Sequence, residues 1–311
     1  MTTKQKILTN IDIVNYLEAP IYHKDFNEAL DFINESYSSF GLTPISCYIT
    51  GPSGTGKTTL AKTAHLEILS SAKSTTERTN IPVVRVTLTD GALPDDVRRD
   101  ILIELGVDPS GYAGAKLKKL LIKQLNICGV KLVIFDEFQH LLRPGGKNVN
   151  KRVCEFVKTF IDTTRRPVVL LGNEDGKKLF KLYPELRTRF VCGGELSEMN
   201  CITKRGLDYF TWYLEELMKL FPLKSLDLSK GDFPYRVALA TNGNLRTLEY
   251  LLTKVLKNNR SNQNEITAKA YQAAYEVSRQ SAIIIKGKVV APFTADINTV
   301  RELLGLPHEK A

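Results

Sequence analysis

At 311 residues the chain is too long for a minimal domain and suits an α/β core with a smaller second domain, and its 43% hydrophobic and 25% charged content is that of an ordinary soluble protein. No apolar run approaches ~20 residues, so no membrane span is expected. The stretch Met1 to Lys6 lacks the apolar core of a secretory signal. The formal net charge of +9 favours polyanionic partners, nucleic acid being the usual one, or reflects only a well-solvated basic surface. Cys47, Cys128, Cys154, Cys192 and Cys201 never stand as C-x-x-C, which argues against a zinc site or disulfide framework and fits a reducing cytoplasm.

Residues 1–22 read as an arm, with Ile7, Leu8, Ile11, Ile13 and Val14 as anchors on the domain or on a neighbour. From Lys24, the positions Phe26, Leu30, Ile33 and Tyr37 fall on one helical face, and Gly41 and Pro44 end that helix. Ile45 to Ile49 reads as a short strand. It is followed by Gly51, Pro52, Ser53, Gly54, Thr55, Gly56, Lys57, Thr58 and Thr59, which fit G-x-x-x-x-G-K-[ST] and open a helix to about Ser70. Glycines let such a loop turn its N–H groups onto phosphate oxygens, and the helix adds its positive end. Lys57 can reach the β- and γ-phosphates, and the Thr58 hydroxyl can ligate Mg²⁺. A glycine-rich turn that binds nothing would not need the strand before it, the Lys-Thr pair or the helix behind. The motif implies ATP and Mg²⁺.

The strand 81–88 is rich in β-branched residues; Pro94 then starts a helix to Leu105, and a second covers about 113–127. Lys131 to Phe135 reads as a buried parallel strand that delivers Asp136 and Glu137 at its carboxyl end. Asp136 there can hold the metal's water shell, and Glu137 can deprotonate an attacking water; the plainer reading is a solvated strand end. A basic loop leads into a helix to about Thr163, and Pro167 to Gly172 is a fourth buried strand. Asn173, directly after it, reads as a sensor of the γ-phosphate or as a turn residue. Phe190 to Leu196 supplies a fifth strand. From Thr203 only helices follow (204–220, 232–241, 244–259 and 266–280), which places a boundary near residue 200, and 283–290 reads as a hairpin. The expected layout is an arm (1–22), a parallel-sheet core (23–200), an all-helical domain (201–281) and a tail (282–311).

The phosphate loop, Asp136-Glu137, Asn173, Glu185 to Phe190 and Gly243-Asn244-Leu245-Arg246 together resemble an AAA+ ATPase, a P-loop NTPase with a helical lid. That resemblance implies that Arg246 is the lid's sensor arginine on the nucleotide. It also implies that Arg189, or else Arg187, is an arginine finger acting on a neighbouring subunit, which requires a homo-oligomer; a salt-bridged pair at a helix end is the alternative. The stretch Phe135 to Leu142, the basic loop, the helix with Phe156-Val157-Lys158, the strand Pro167 to Gly172 and the segment Leu186 to Phe190 are similar to TniB/TnsC-type ATPases of DNA transposition. Membership implies an ATP-dependent ring or filament on duplex DNA, linking a target-selector protein to the transposase, in the cytoplasm and on the nucleoid. An initiator or helicase loader, or a STAND-type signalling ATPase, is the competing assignment. The tail 282–311 lies outside the resemblance, as a partner hook or an ordered end.

Two basic clusters are candidates for DNA. One is Arg143, Lys147, Lys151 and Arg152 after the Asp-Glu strand; the other is Lys116, Lys118, Lys119 and Lys123 on one helix, though such faces are often only solvated. Neither is interleaved with aromatics, so phosphate contacts without base reading are expected.

Overall fold

Apolar, β-branched runs form β1 (Ser46–Thr50), β2 (Val83–Thr87), β3 (Leu132–Asp136), β4 (Val168–Gly172) and β5 (Phe190–Glu195). They pair only in parallel, in the order β2-β3-β4-β1-β5. The structure, a computed structural model, describes residues 7–72, 80–141, 147–261, 264–278, 284–285 and 288–307. By internal packing the chain divides into two units, one Lys24–Ser197 and the other uniting the residues up to His23 with those from Glu198 onward.

The helices run in chain order from α1 (Asn10–Glu18) and α2 (Lys24–Ser38) through α3 (Lys57–Ser71), α4 (Pro94–Glu104) and α5 (Gly114–Ile127). A short 3₁₀ turn (Phe138–Leu141) follows β3, and then come α6 (Lys147–Thr164), α7 (Glu174–Leu182) and α8 (Pro184–Arg187). The remainder are α9 (Lys204–Lys219), α10 (Phe233–Thr241), α11 (Leu245–Asn258), α12 (Ala268–Ser278) and α13 (Ile297–Leu303).

Because side chains alternate along a strand, each strand of the first unit feeds two cores. Cys47, Ile49, Val83, Leu132, Ile134, Val169 and Leu171 pack with residues of α2 and α3. Tyr48, Val84, Val86, Val133, Phe135, Val168 and Leu170 pack on the other face with α4, α5 and α6. A sheet covered on both faces needs nearly continuous apolar strands, and these are fully buried along β1, β3 and β4. The parity has a consequence for the site. Asp136 and Asn173 fall in the same alternation as Ile134 and Leu171, on the face that carries α3.

In the second unit the arm is not a free extension. Leu8, Ile13 and Tyr16 belong to the same apolar cluster as α9, α11 and α12. The Tyr16 ring meets Phe221 edge-on at 5.4 Å, and its hydroxyl donates to the Leu217 carbonyl at 3.4 Å. The described end of the tail packs there too: Phe293 and Val300 are buried, and Arg236 donates to the carbonyls of Pro292 and Ala295 at 3.0 and 2.8 Å. Of the expected hairpin, the described residues form a two-residue antiparallel pair, Ile284–Ile285 with Lys288–Val289. Among the described residues no helix is long and apolar enough to cross a membrane. The five cysteines are free thiols, and Cys47 and Cys192 are register partners on β1 and β5.

Candidate functional site

The phosphate loop leaves the carboxyl end of β1, and Gly51 N–H donates to the Gly172 carbonyl of β4 at 3.2 Å. Gly56 caps α3 with φ +93°, a left-handed conformation that favours glycine. Thr55 ties the loop by donating its hydroxyl to the Pro52 carbonyl at 3.0 Å. Lys57 is buried, and its ammonium donates to the carbonyls of Gly51 and Pro52, each at 2.7 Å. A cation is thus held at the loop where the N-terminal N–H groups of α3 converge. Thr58, Ser53 and Thr59 lie on the outer part of the loop and the helix start, with Thr58 and Ser53 exposed and Thr59 half-buried.

Asp136 is 1% exposed at the end of β3. Its Oδ1 accepts the Glu137 N–H at 3.0 Å, and the Thr58 side chain lies near enough to favour the charged carboxylate. Arg85 Nη1 stands 3.8 Å from Oδ2, yet that buried oxygen has no hydrogen-bond partner among the described residues. Burial pushes the Asp136 carboxyl above the usual carboxylate range, against the opposing pull of the nearby Thr58 hydroxyl. An unsatisfied buried oxygen beside a threonine hydroxyl, at the mouth of a phosphate loop, is a fitting donor set for Mg²⁺.

Glu137 has φ +58°, rare for a residue with a side chain. That backbone ends β3 and turns the chain into the 3₁₀ segment, where Phe138 is fully buried. The Glu137 carboxylate accepts from Gln139 Nε2, and His140 Nε2 lies 3.8 Å from the same Oε2. His140 in turn pairs through Nδ1 with Asp90. Asn173 follows β4: its N–H donates to Gln139 Oε1 at 3.1 Å and its Oδ1 accepts the Asp175 N–H at 3.0 Å. The side-chain oxygen therefore serves the first turn of α7, as a turn residue's would, and the amino end of the amide is the end suited to a phosphate or water.

Arg189 is paired within its own chain. Nε and Nη2 meet the two Asp162 carboxylate oxygens at 2.8 and 3.1 Å, and this fork holds the Asp162 carboxyl below the usual range. Arg187, at the end of α8, is exposed and makes no ion pair among the described residues. Arg246 is exposed in the first turn of α11, which Asn244 caps by accepting the Thr247 N–H at 3.2 Å. Lys116, Lys119 and Lys123 are exposed on α5, whereas Lys118 lines a cleft with Arg98, Phe156 and Thr159. Lys151 and Arg152 are exposed on α6; Arg143 and the Lys147 side chain lie outside the described residues. Arg85, Gln139, His140 and Tyr48 were not assigned roles from the sequence, because nothing in their spacing marks them.

The family described as "Bacterial TniB protein" matches residues 14–193, more than half of the chain. The chain belongs to the TniB family. Among curated proteins there is no match. Of the solved structures, this TniB-family chain is similar to Cdc6p from Pyrobaculum aerophilum, with 14% identity, a TM-score of 0.62, and coverage of 88% of this chain and 72% of that one. It is also similar to Aeropyrum pernix ORC1 in complex with DNA (18% identity, TM-score 0.59, 85% and 69% coverage). Domain III of the Thermotoga maritima replication initiation protein DnaA is a third (15% identity, TM-score 0.57, 85% and 96%). At such identities the likeness is one of fold: the AAA+ P-loop architecture, a five-stranded parallel sheet with a helical C-terminal region.

Proposed function

We propose that this TniB-family protein binds and hydrolyses ATP with Mg²⁺, assembles as an oligomer on duplex DNA, and links target selection to a transposase. The observation that carries the enzymatic part is the meeting of Lys57, Thr58 and Asp136, with its orphaned oxygen, beside Glu137 at one sheet edge. The phosphate loop N–H groups and Lys57 bind the phosphates. Thr58 and Asp136 would hold the metal, which when bound would neutralise phosphate charge. Glu137 accepts a proton from the attacking water, and the Asn173 amino group orients that water or the γ-phosphate. Arg246 from the helical unit and a neighbouring subunit's Arg187 or Arg189 supply further positive charge.

The DNA part is supported by the net charge of +9, by the exposed Lys151 and Arg152, and by a fold shared with ORC1, which is described with DNA. The transposase link, a target-selector partner and a cytoplasmic, nucleoid-associated setting are part of the same proposal, which the TniB family match supports. Nucleotide affinity and turnover, measured side by side, test the core of it. Glu137→Gln should keep ATP binding and slow turnover by roughly 10²-fold or more, as loss of a general base does. Lys57→Ala should weaken binding itself. Near-normal hydrolysis in Glu137→Gln rejects the assignment.

A further inference from the structure

Gln139 lies two residues beyond Glu137, and its role rests on the reading of Glu137 as the base of an ATP hydrolase. Its one amide spans two strand ends. Oε1 accepts the Asn173 N–H beyond β4 at 3.1 Å, while Nε2 donates to Glu137 Oε2 beyond β3. Asn173 is held at two further points: its backbone carbonyl accepts the Tyr48 hydroxyl at 3.0 Å, and its side-chain Oδ1 accepts the Asp175 N–H at 3.0 Å. A unit fixed in this way passes any displacement to the amide bonded to it.

Space for the amide comes from Gly172. A Cβ at that position would stand 2.9 Å from Gln139 Oε1, too close for an undisturbed contact. On the far side of the carboxylate, His140 Nε2 approaches the same Oε2 at 3.8 Å. Both described contacts of the Glu137 carboxylate therefore use one oxygen and leave Oε1 for the reacting water.

We propose that Gln139 is a positioning residue that ties the Glu137 carboxylate to the strand end bearing Asn173, so that a phosphate engaged by Asn173 sets the orientation of the base. A carboxamide suits this place because it offers one acceptor and one donor in a single plane without charge. A glutamate could accept from Asn173 but would set a second carboxylate against Glu137. A leucine could do neither.

The test measures ATP turnover, equilibrium ATP affinity and thermal midpoint in wild type, Gln139→Leu, Gln139→Glu and Gly172→Ala. Turnover should fall on the order of 10- to 10²-fold in each, the cost of a base misplaced by about 1 Å. ATP affinity should stay within about twofold, since the ground-state contacts to phosphate are elsewhere. Gly172→Ala moves the amide without changing it chemically, so it decides the matter even where a Gln139 variant folds poorly. The sharper readout is the double mutant, followed by single-turnover hydrolysis. In a Glu137→Gln background, Gln139→Leu should add no further loss, because it acts only through that carboxylate. A full, multiplicative loss in that background overturns the proposal, as does normal turnover in both Gly172→Ala and Gln139→Leu. A wild-type chain that fails to hydrolyse ATP, or a Glu137→Gln variant that hydrolyses normally, overturns the functional reading together with this one.

Discussion

At the scale of single residues, the structure distinguishes Arg189, the better match to the finger motif, from Arg187, the second candidate. Arg189 would have to give up a bidentate pair with Asp162 before it could reach another molecule's phosphate, whereas Arg187 makes no ion pair among the described residues. If a finger acts in trans, Arg187→Ala should reduce turnover on the order of 10³-fold, as for other arginine fingers. Arg189→Ala should cost less in turnover. Mixing Arg187→Ala with Lys57→Ala protein should restore activity at hybrid interfaces, and the absence of any restoration at every ratio moves the finger to Arg189.

His65 of α3 gives a second residue-scale expectation. Burial, and then the Arg85 charge, lower its pKa from the ordinary value of 6.5, and its Nδ1 has no partner among the described residues. A group whose folded pKa is depressed leaves the folded state with fewer protons than the unfolded chain. Its contribution to stability is complete above pH 6.5 and is lost as pH falls through the folded value. The thermal midpoint should therefore drop on acidification from pH 7 to about 5. The drop should be smaller in His65→Gln, and an identical acid profile in the two proteins contradicts it.

Among elements, α6 matters most for a polyanion. It follows the β3 end that carries Asp136 and Glu137, and it presents Lys151 and Arg152 to solvent. Lys151 is only loosely engaged by Glu155, at 3.9 Å between exposed side chains, and such a pair contributes little. Each phosphate that α6 neutralises should add roughly −0.9 to the slope of log affinity against log salt on B-form DNA. Changing Lys151 and Arg152 to Ala should flatten that slope and weaken binding about equally on two unrelated duplexes, with ATP binding retained. An unchanged slope transfers the DNA contacts to α5, where Lys116, Lys119 and Lys123 are exposed.

Taken whole, the molecule gives its first residues to the helical unit. Tyr16 is 6% exposed, and α1 carries a capping box at Thr9 and Asp12 that fixes where the helix begins. Tyr16→Ala should destabilise that unit by about 3–5 kcal/mol, as deletion of a large buried aromatic does. Urea unfolding followed by tryptophan fluorescence reports on it directly, because Trp212 lies in α9. Nucleotide affinity of the phosphate loop should be little affected. Loss of less than about 1 kcal/mol would mean that the arm adds little to the unit's stability.

The sequence by itself determined the sheet strands and the groups at their ends. Short apolar runs rich in β-branched residues and bounded by turn signals favour buried strands over helices, and the G-x-x-x-x-G-K-[ST] loop at Gly51–Thr58 and the Asp136-Glu137 pair are local in the chain. Helices α9 to α12 of the second unit were likewise legible from periodicity, because each keeps an apolar stripe: in α11 it is Leu248, Leu251, Leu252 and Val255. The short helices α7, α8 and α13 were not. Their stability comes from packing and caps, as at Asp296 before α13, rather than from a repeat long enough to recognise.

Only the tertiary structure decided the strand order, which places β1 between β4 and β5 and so brings Gly51, Gly172 and Asn173 together. It alone paired Arg189 with Asp162 across 27 positions, and Asn173 with Gln139 across 34. Such partners are set by crossover connections between parallel strands. No pattern within either segment encodes them, since the energy that selects the pairing lies in the two cores the sheet buries.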